Sequence, residues 1–215
     1  MKQNIPSWLE PVAVSSLEAL AERGLRRTYR RGVILIHEGD PGGSLYVIRR
    51  GKLRAFLADR RGREFTLGVY GPGDCVGEMA LDGGPRSASV ITLESTECAI
   101  IERDVLLNFI RTNPEVALQL MSRIIRRARL ATESAGSLAL LDVYSRFAQL
   151  IERMALAGPD GRRRVPERLT QQAIAERIGA SREMVSRVMK DLITAQYLQI
   201  EAGRIVITRT LPAGW

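Results

Sequence analysis

The chain has 215 residues, of which 45% are hydrophobic and 26% charged, and its formal net charge is +8. Its length allows one large domain or two smaller ones, and no apolar run approaches the roughly 20 residues that span a bilayer. Two cysteines and one histidine argue against a four-cysteine iron–sulfur cluster, a histidine-based metal site and a histidine-dependent catalytic triad. We therefore expect no metal, no covalent cofactor and no enzyme activity.

The positive charge is nearly all arginine, with lysine only at positions 2, 52 and 190. Arginine suits the recognition of phosphate and guanine, and such an excess favours a polyanionic partner, most often nucleic acid. A biased genome composition would produce the same excess, so charge alone leaves both explanations open.

The first 24 residues predict one short helix and no export signal. Residues Met1–Trp8 lack the apolar core of a signal peptide, so we expect a cytoplasmic protein. Residues 7–23 contain a helix, in which Ser15 and Glu18 have the spacing of a capping box. Gly24 ends that helix.

Residues 25–101 have a β pattern. Short runs rich in β-branched and aromatic residues alternate with glycine-rich turns, which is typical of a β-barrel or sandwich. Residues 102–110 then predict a short helix. The predicted strands are Val33–Ile36, Ser44–Arg49, Leu53–Ala58, Phe65–Tyr70, Ala88–Thr92 and Glu97–Ile101.

The segment Val76–Val90, called here the glycine-rich segment, has the composition of an anion-binding site. Its glycines let backbone amides approach an anion, Arg86 supplies a fixed positive charge, and Ser87 adds a hydroxyl donor. Glu78 can accept from a sugar hydroxyl, so the set suits a ligand with both a phosphate and a sugar. A salt bridge between Glu78 and Arg86 that only stabilises the turn would explain the same residues, and both interpretations stay open.

A long helix is predicted from Asn113, a possible cap, to Ala135, because no glycine or proline follows Pro114 until Gly136. Apolar and small residues recur at spacings of three and four, which predicts a coiled-coil seam and a dimer. A helix buried within a monomer is the alternative. The seam residues are Ala117, Met121, Ile124, Ala128, Ala131 and Ala135.

Two further features accompany this helix. A second stripe, with Leu118 and Ile125, is expected to pack on the rest of its own chain, and Gly136 is a candidate hinge. The next amphipathic helix is predicted over Leu138–Leu156, followed by a polar turn over Gly158–Pro166.

Residues 169–192 have the pattern of a helix-turn-helix. Thr170 and Ser181 can cap the two helices, and Gly179 permits the tight turn between them. A β-hairpin predicted over 198–208 would add a wing. An ordinary helical pair with a solvated charged face is the alternative, but cap, turn and wing together favour DNA binding.

The second helix of this motif presents the side chains that we expect to meet DNA. Arginine can hold guanine with two hydrogen bonds, and glutamate can accept from cytosine. Lys190 lies further along, where phosphate contacts are expected. The basic turn Arg162–Arg164 can meet DNA phosphates or RNA polymerase, or remain solvated. The predicted DNA-contacting residues are Thr170, Gln171, Ser181, Arg182, Glu183, Ser186, Arg187 and Lys190.

Taken in this order, the segments resemble the CRP/FNR family of transcription regulators, and most closely its cyclic-AMP receptor branch. The matching stretches are Gly77–Leu81, Pro85–Ala88, Leu138–Val143 and Ala180–Arg187. The resemblance implies an α+β fold with an N-terminal cyclic-nucleotide-binding β-roll, a long dimerisation helix and a C-terminal winged helix-turn-helix. The implied parts are residues 1–112, 113–137 and 138–215.

The resemblance also implies a cyclic-nucleotide site. Gly77 and Glu78 would contact the ribose, Arg86 and Ser87 the cyclic phosphate, and Arg127 would lie near Glu78. Thr132 matches a hydroxyl that reaches the adenine bound by the partner subunit, whereas Ala131 replaces a threonine and loses one base contact. Such a bond is worth roughly 0.5–1.5 kcal/mol. The implied ligand residues are Gly77, Glu78, Met79, Ala80, Arg86, Ser87, Ala88, Arg127 and Thr132.

For DNA, the resemblance implies that Arg182, Glu183 and Arg187 read a TGTGA half-site. Arg182 points to the guanine-reading branch, and the cysteine cluster of the FNR branch is absent. The implied protein is a homodimer switched by cyclic AMP that meets DNA and RNA polymerase but no membrane. A nucleotide-independent regulator, or one that senses cyclic GMP or cyclic di-GMP, stays open. A kinase or channel subunit is disfavoured by the helix-turn-helix.

Overall fold

The computed structural model describes residues 15–158, 161–212 and 214, without the side chains of Ser15 and Ala80. The helix predicted within residues 7–23 is confirmed over Ser15–Ala21, whereas the residues before Ser15, the capping side chain of Ser15 and the roles of the Ala80 side chain lie outside the described part. The chain divides into two compact units. The first contains the described residues up to Leu57 and Thr66–Leu130, and the second contains Ala58–Phe65 and the described residues from Ala131 onward.

The first unit is built on two four-stranded sheets, ordered β1-β8-β3-β6 and β2-β7-β4-β5. Pairing is antiparallel between β1 and β8, β3 and β8, β2 and β7, and β4 and β7. The strands are β1 Leu25–Tyr29, β2 Ile34–Ile36, β3 Ser44–Arg50, β4 Leu53–Ala58, β5 Glu64–Tyr70, β6 Cys75–Val76, β7 Ser89–Thr92 and β8 Thr96–Glu102. The helices are α1 Ser15–Ala21, the 3-10 helix Glu78–Asp82, α2 Arg103–Thr112 and α3 Glu115–Leu140.

Two apolar clusters hold this unit together. In one, Leu20 of α1 and Leu120 of α3 pack with β3 and β8 residues such as Leu45. In the other, Ile48 of β3 and Val90 of β7 belong to one cluster, which therefore joins the two sheets. The strand β3 contributes to both clusters because successive side chains of a strand point to opposite faces.

The six predicted strands are confirmed to within about two residues, whereas β1 and β6 were missed. The strand β1 reads Leu-Arg-Arg-Thr-Tyr and is largely exposed, so it lacks the apolar alternation that predicts a strand. It forms because its backbone pairs with β8 along its whole length. The strand β6 has only two residues, which is too short for any periodicity.

The helix α3 does not end before Gly136, so that prediction was wrong. It continues to Leu140, and the helical conformation is interrupted at Leu141–Asp142. There, the Asp142 side chain accepts a hydrogen bond from the Ser145 backbone N–H at 2.7 Å. A glycine inside a helix costs about 1 kcal/mol relative to alanine, and flanking residues with high helix propensity can offset this cost. An N-cap aspartate starts a new helix at a defined residue. The next helix therefore begins at Val143, not Leu138.

The second stripe of α3 was also predicted wrongly. Leu118 and Ile125 are 55% and 54% exposed, and the residues that α3 buries in its own unit are Val116 and Leu120. The same face continues with Arg123 and Arg127, three and seven residues after Leu120, and a search for apolar periodicity does not detect these charged residues.

The second unit combines helices with a small sheet of order β11-β12-β10-β9. Its core joins Phe147, Ile174, Val185, Leu192 and other apolar side chains in one cluster. The predicted hairpin is confirmed, but part of the predicted polar turn is strand β10, held by backbone pairing to β9 and β12. The elements are α4 Val143–Met154, β9 Leu156–Ala157, β10 Arg163–Arg164, α5 Gln171–Ile178, α6 Arg182–Thr194, β11 Leu198–Glu201 and β12 Arg204–Ile207.

Candidate functional site

Arg86 is the one cationic residue of the glycine-rich segment, and it is buried, with 7% of its surface exposed. Its Nη1 donates to the Gly77 carbonyl at 2.9 Å, and its Nη2 donates to the Ser44 carbonyl at 2.9 Å and to Ser44 Oγ at 3.4 Å. The Arg86 backbone is fixed as well, because its N–H donates to Asp40 and its carbonyl accepts from Gly39. Both ends of the residue are therefore held in place.

Gly77 is required for this arrangement. Its φ of +93° lies in the left-handed region, and a Cβ there would lie 2.5 Å from Arg86 Nη1 and 2.9 Å from the Ser44 carbonyl oxygen. Any other residue would displace the guanidinium. The sequence identified Gly77 and Arg86 but not Ser44, which lies 42 residues before Arg86.

The charge of Arg86 has no carboxylate partner among the described ion pairs, since its three hydrogen bonds go to neutral oxygens. A buried cation is costly unless it is paired. A guanidinium has five N–H donors, so donors remain after these bonds are made. The site is chemically suited to an anion.

Glu78 pairs with Arg127 and not with Arg86, so the salt bridge considered from the sequence is not formed. Glu78 is 3% exposed, its Oε1 accepts from Arg127 Nη1, and Arg127 Nη2 also donates to the Cys75 carbonyl. The second carboxylate oxygen, Oε2, is buried and has no hydrogen-bond partner in the described structure. Buried polar atoms are normally satisfied, so this oxygen is suited to accept from a ligand hydroxyl.

The Arg127 guanidinium is enclosed on several sides. Burial acts to lower the pKa of Arg127, but Glu78 and Tyr70 outweigh it, and the pKa lies above its ordinary value. The guanidinium also lies over the Tyr70 ring, 4.4 Å from its centroid, and burial raises the pKa of that phenol. Arg127 therefore stays charged and Tyr70 neutral at any physiological pH.

A second arginine repeats this pattern one turn earlier on α3. Arg123 Nη1 donates to Asp74 Oδ1 at 2.9 Å, and Nη2 donates to the Gly73 carbonyl at 2.8 Å. Arg123 and Arg127 thus each bind one carboxylate and one carbonyl of residues 73–78. Sequence reasoning missed Arg123, although its spacing of four from Arg127 places both on one helix face.

The remaining predicted ligand residues lie around this core. Ser87 is exposed, and its hydroxyl donates to the sulfur of the exposed Met79 at 3.3 Å, while Ala88 is half-buried. A thioether is a weak acceptor, so an anion could replace it. Thr132 is exposed on α3 and belongs to the second unit, as does Ala131.

The predicted seam forms one accessible face of α3. Ala117 is half-buried and the other five seam residues are exposed. Leu118 and Ile125 are exposed beside them, so the apolar face is wider than the seam alone.

The helix-turn-helix has the predicted caps and turn. Thr170 Oγ1 accepts from the Ala173 backbone at 3.0 Å, and Ser181 Oγ accepts from the Met184 backbone at 3.2 Å. Gly179 ends α5 with a φ of +61°, and its N–H donates to the Ala175 carbonyl. Between these points the chain reverses tightly enough for α5 and α6 to share the core.

The outer face of α6 is charged. Arg182, Glu183, Arg187 and Lys190 are exposed, and Ser186 is half-buried. The backbone N–H of Glu183 and the Ser181 hydroxyl hold the pKa of the Glu183 carboxyl below its ordinary value, so it is an acceptor at neutral pH. Gln171 is half-buried and Thr170 exposed on α5.

The basic turn is partly engaged with its own unit. Arg162 Nη1 pairs with Glu201 at 2.9 Å, and Arg163 Nη2 donates to the Glu152 carbonyl at 2.7 Å. These bonds support a structural role for both side chains, whereas the sequence left open contact with DNA, contact with RNA polymerase or a solvated turn.

Groups of potential metal ligands and membrane-spanning helices are both absent from the described residues. No cluster of three or more potential metal ligands occurs among them. None of the helices in the described ranges combines the length and the apolar character needed to cross a membrane. Cys75 and Cys98 are free, fully buried thiols, and burial raises the pKa of each to about 12.

Comparison with known proteins gives matches to two family models, a cyclic nucleotide-binding domain over residues 26–113 and a Crp-like helix-turn-helix domain over 145–210. A CRP-like cAMP-activated global transcriptional regulator of Mycobacterium tuberculosis is 33% identical over 201 residues, covering 92% of this chain and 90% of the relative. The cAMP-activated global transcriptional regulator CRP of Salmonella typhimurium is 33% identical over 183 residues, covering 82% and 86%. The solved structure of the c-di-GMP responsive regulator CLP of Xanthomonas campestris superposes with a TM-score of 0.79, at 26% identity, covering 92% of this chain and all of that one.

Proposed function

Because this chain belongs to the CRP-like family of transcription regulators, we propose that it is a homodimer that binds a palindromic TGTGA-like DNA site in response to cyclic AMP. The observation that carries the ligand half of this proposal is the buried Arg86, held by neutral oxygens and lacking a carboxylate partner among the described ion pairs. In this proposal the cyclic phosphate supplies the missing negative charge.

The sugar of the nucleotide is assigned to Glu78. Its buried Oε2 would accept from the ribose hydroxyl, while Arg127 holds the carboxylate in place through Oε1. Ser87 would turn its hydroxyl from the Met79 sulfur to the phosphate, which is a much stronger acceptor. The backbone of the 3-10 helix at Met79 and Ala80, together with Ala88, would complete the wall of the site.

The base is the less determined part of the ligand. Thr132 is assigned to the adenine bound by the other subunit, and Ala131 supplies no hydroxyl. A second candidate is therefore a regulator of the same fold that acts without a nucleotide or senses cyclic GMP or cyclic di-GMP. Ala131 favours this candidate, as does the structural similarity to a regulator described as responsive to c-di-GMP.

A second copy of the chain is the proposed partner for α3. The exposed seam, widened by Leu118 and Ile125, is an apolar helix face that would be buried by its symmetry mate. We propose the same division of labour as the sequence suggested: ligand recognition in residues 1–112, dimerisation in 113–137 and DNA recognition in 138–215.

The DNA contacts are assigned to α6 and its caps. Arg182 and Arg187 would hold guanines, Glu183 would accept from cytosine, and Lys190 would contact phosphate. Ligand binding would act through the dimer, because the two copies of α6 must lie about 34 Å apart to enter successive major grooves. RNA polymerase is the proposed downstream partner and the cytoplasm the proposed location; we assign the protein no reaction.

Fluorescence anisotropy of a labelled TGTGA palindrome tests the proposal. Binding would be measured at one stated salt concentration, without ligand and with cyclic AMP, cyclic GMP or cyclic di-GMP. We expect tightening by cyclic AMP, and Arg182→Gln should lower affinity roughly 30-fold or more, because it removes one bidentate guanine contact of about 1–3 kcal/mol from each of the two half-sites. Arg111→Gln, an exposed arginine on α2, is the control.

The outcomes separate the parts of the proposal. Equal, specific binding with and without every ligand would reject the nucleotide switch and keep DNA recognition. Tightening by cyclic di-GMP alone would favour the second candidate. A palindrome bound no better than scrambled DNA under all conditions would reject the assignment of Arg182, Glu183 and Arg187.

A further inference from the structure

Met184 is the only large apolar side chain exposed on the first two turns of α6, in the part of the chain that the structure describes. It is 44% exposed, while the neighbouring Val185 is fully buried in the core. Its backbone N–H donates to Ser181 Oγ, the cap of α6, at 3.2 Å, so the backbone that carries the Met184 side chain is held in place. The core therefore does not account for this side chain.

The position of Met184 on the helix is informative. At 3.6 residues per turn, successive residues are about 100° apart, so Met184 and Arg182 lie about 200° apart around the axis. Glu183 and Arg187 occupy the middle of the exposed face between them. The first turn thus has a flank that donates hydrogen bonds and a flank that is apolar.

We propose that Met184 is a specificity-determining residue that contacts the 5-methyl group of a thymine in the DNA half-site. This inference rests on the proposed DNA-binding function. A thioether donates no hydrogen bond and accepts only weakly, so it does not read the polar base edges. The thymine methyl is the apolar group that the major groove presents, and apolar side chains recognise it.

Two further properties suit Met184 to this contact. It lies in the N-terminal part of the second helix of the motif, which is where base edges are met. Methionine is also flexible and polarisable, so it adapts its three side-chain torsions to a small methyl target. A TGTGA half-site offers thymines on the strand that Arg182 and Arg187 are assigned to read.

The test replaces one thymine at a time, in one half-site of the palindrome, by deoxyuridine. This base keeps every hydrogen-bonding group of thymine and lacks only the methyl. With cyclic AMP present, we expect the wild-type protein to lose about fourfold in affinity at one position, the equivalent of about 0.8 kcal/mol for one buried methyl-sized group. This measurement needs no variant.

Two variants then assign the effect to a side chain. Met184→Gln keeps an unbranched side chain with good helix propensity but removes the apolar end, and it should bind the thymine and deoxyuridine sites equally. Ile193→Gln is the matched control, because Ile193 is 39% exposed on the last turn of the same helix. It should retain the fourfold difference.

Wild-type binding that is indifferent to deoxyuridine at every thymine would overturn the inference. So would a deoxyuridine loss that persists unchanged in Met184→Gln, because another residue would then make the contact. If the wild-type protein does not prefer the palindrome to scrambled DNA, the proposed function fails and this inference fails with it.

Discussion

The two units use arginine in opposite ways. In the first, Arg86 and Arg127 are largely buried and are fixed by carbonyl oxygens, with a carboxylate added for Arg127. In the second, Arg182 and Arg187 are exposed on α6. A buried guanidinium has lost most of its hydration during folding, so it is prepared for one small anion of matching shape. An exposed guanidinium remains hydrated and suits a large polyanion whose counterions are released on binding.

Salt should separate the two sites by the largest margin. If the dimer makes six or more phosphate contacts, raising salt from 50 to 200 mM should lower DNA affinity about 10³-fold or more. Nucleotide affinity should fall less than about tenfold, because buried charges are screened much less. Anisotropy and calorimetry in the same buffers measure the two values, and parallel losses would contradict the contrast between the sites.

Removing the buried charge should have the next largest effect. Arg86→Gln leaves the ligand's phosphate without its cation, and truncating one partner of a buried charge pair costs about 2–5 kcal/mol, or roughly 30-fold or more in affinity. Calorimetry with cyclic AMP measures the loss. The salt dependence of ligand-free DNA binding should stay unchanged in this variant, and Arg111→Gln should alter neither value.

One left-handed glycine in each unit, Gly77 and Gly179, allows the effects on stability and on nucleotide binding to be compared. Gly77→Ala and Gly179→Ala each force an alanine into a left-handed conformation, which costs about 1–2 kcal/mol. Only Gly77→Ala should also weaken nucleotide binding, because its Cβ would lie 2.5 Å from Arg86 Nη1. The Cβ at Gly179 would instead meet the flexible end of Leu138 at 2.7 Å.

Urea unfolding and calorimetry distinguish these effects, with Gly136→Ala as the control. Gly136 lies within α3, and a Cβ there would meet no atom within 4 Å. Gly136→Ala should therefore stabilise the protein by about 0.4–1 kcal/mol. Unaltered nucleotide affinity in Gly77→Ala would show that Arg86 does not depend on the close approach at Gly77.

The smallest expected effect concerns the cap of α4. The Ser145 backbone N–H holds the pKa of Asp142 below its ordinary value of 3.8. Because the pKa is lowered in the folded state, the stability from this charge is present above that value and is lost as pH falls through the folded pKa. Asp142→Asn can still cap but does not titrate, so acidification from pH 7 to pH 3 should destabilise the wild type more than the variant. Equal shifts of the two urea midpoints would show that the cap does not depend on charge.

Local chemistry made much of the fold predictable from the sequence. The caps at Thr170 and Ser181 and the left-handed Gly179 depend on neighbours only a few residues away, so their residue types indicate the geometry directly. The apolar strands could be located for the same reason. The strand β1 could not be located, because its arginines break the apolar alternation and its backbone pairs with the distant residues 96–100.

The residues of the candidate site could be predicted from the sequence, but the hydrogen bonds among them could not. Residue types and the family resemblance identified Gly77, Glu78, Arg86 and Arg127. The bond of Arg86 to Ser44 and that of Glu78 to Arg127 cross 42 and 49 residues, so they exist only once the sheets and α3 have assembled. Met184 was missed for a different reason. The helix-turn-helix pattern predicts DNA contacts for outward-facing polar residues and predicts no role for an outward-facing apolar one.

The two buried thiols give the protein a practical advantage. The thiolate is the nucleophile that attacks maleimides and disulfide reagents, and Cys75 and Cys98 are buried, with pKa values raised to about 12. An engineered Asp191→Cys on the exposed surface of α6 would therefore carry a spin label alone, with both native cysteines left in place. Pulsed dipolar spectroscopy on such a labelled homodimer would read the spacing of the two α6 helices directly, before and after the addition of each nucleotide.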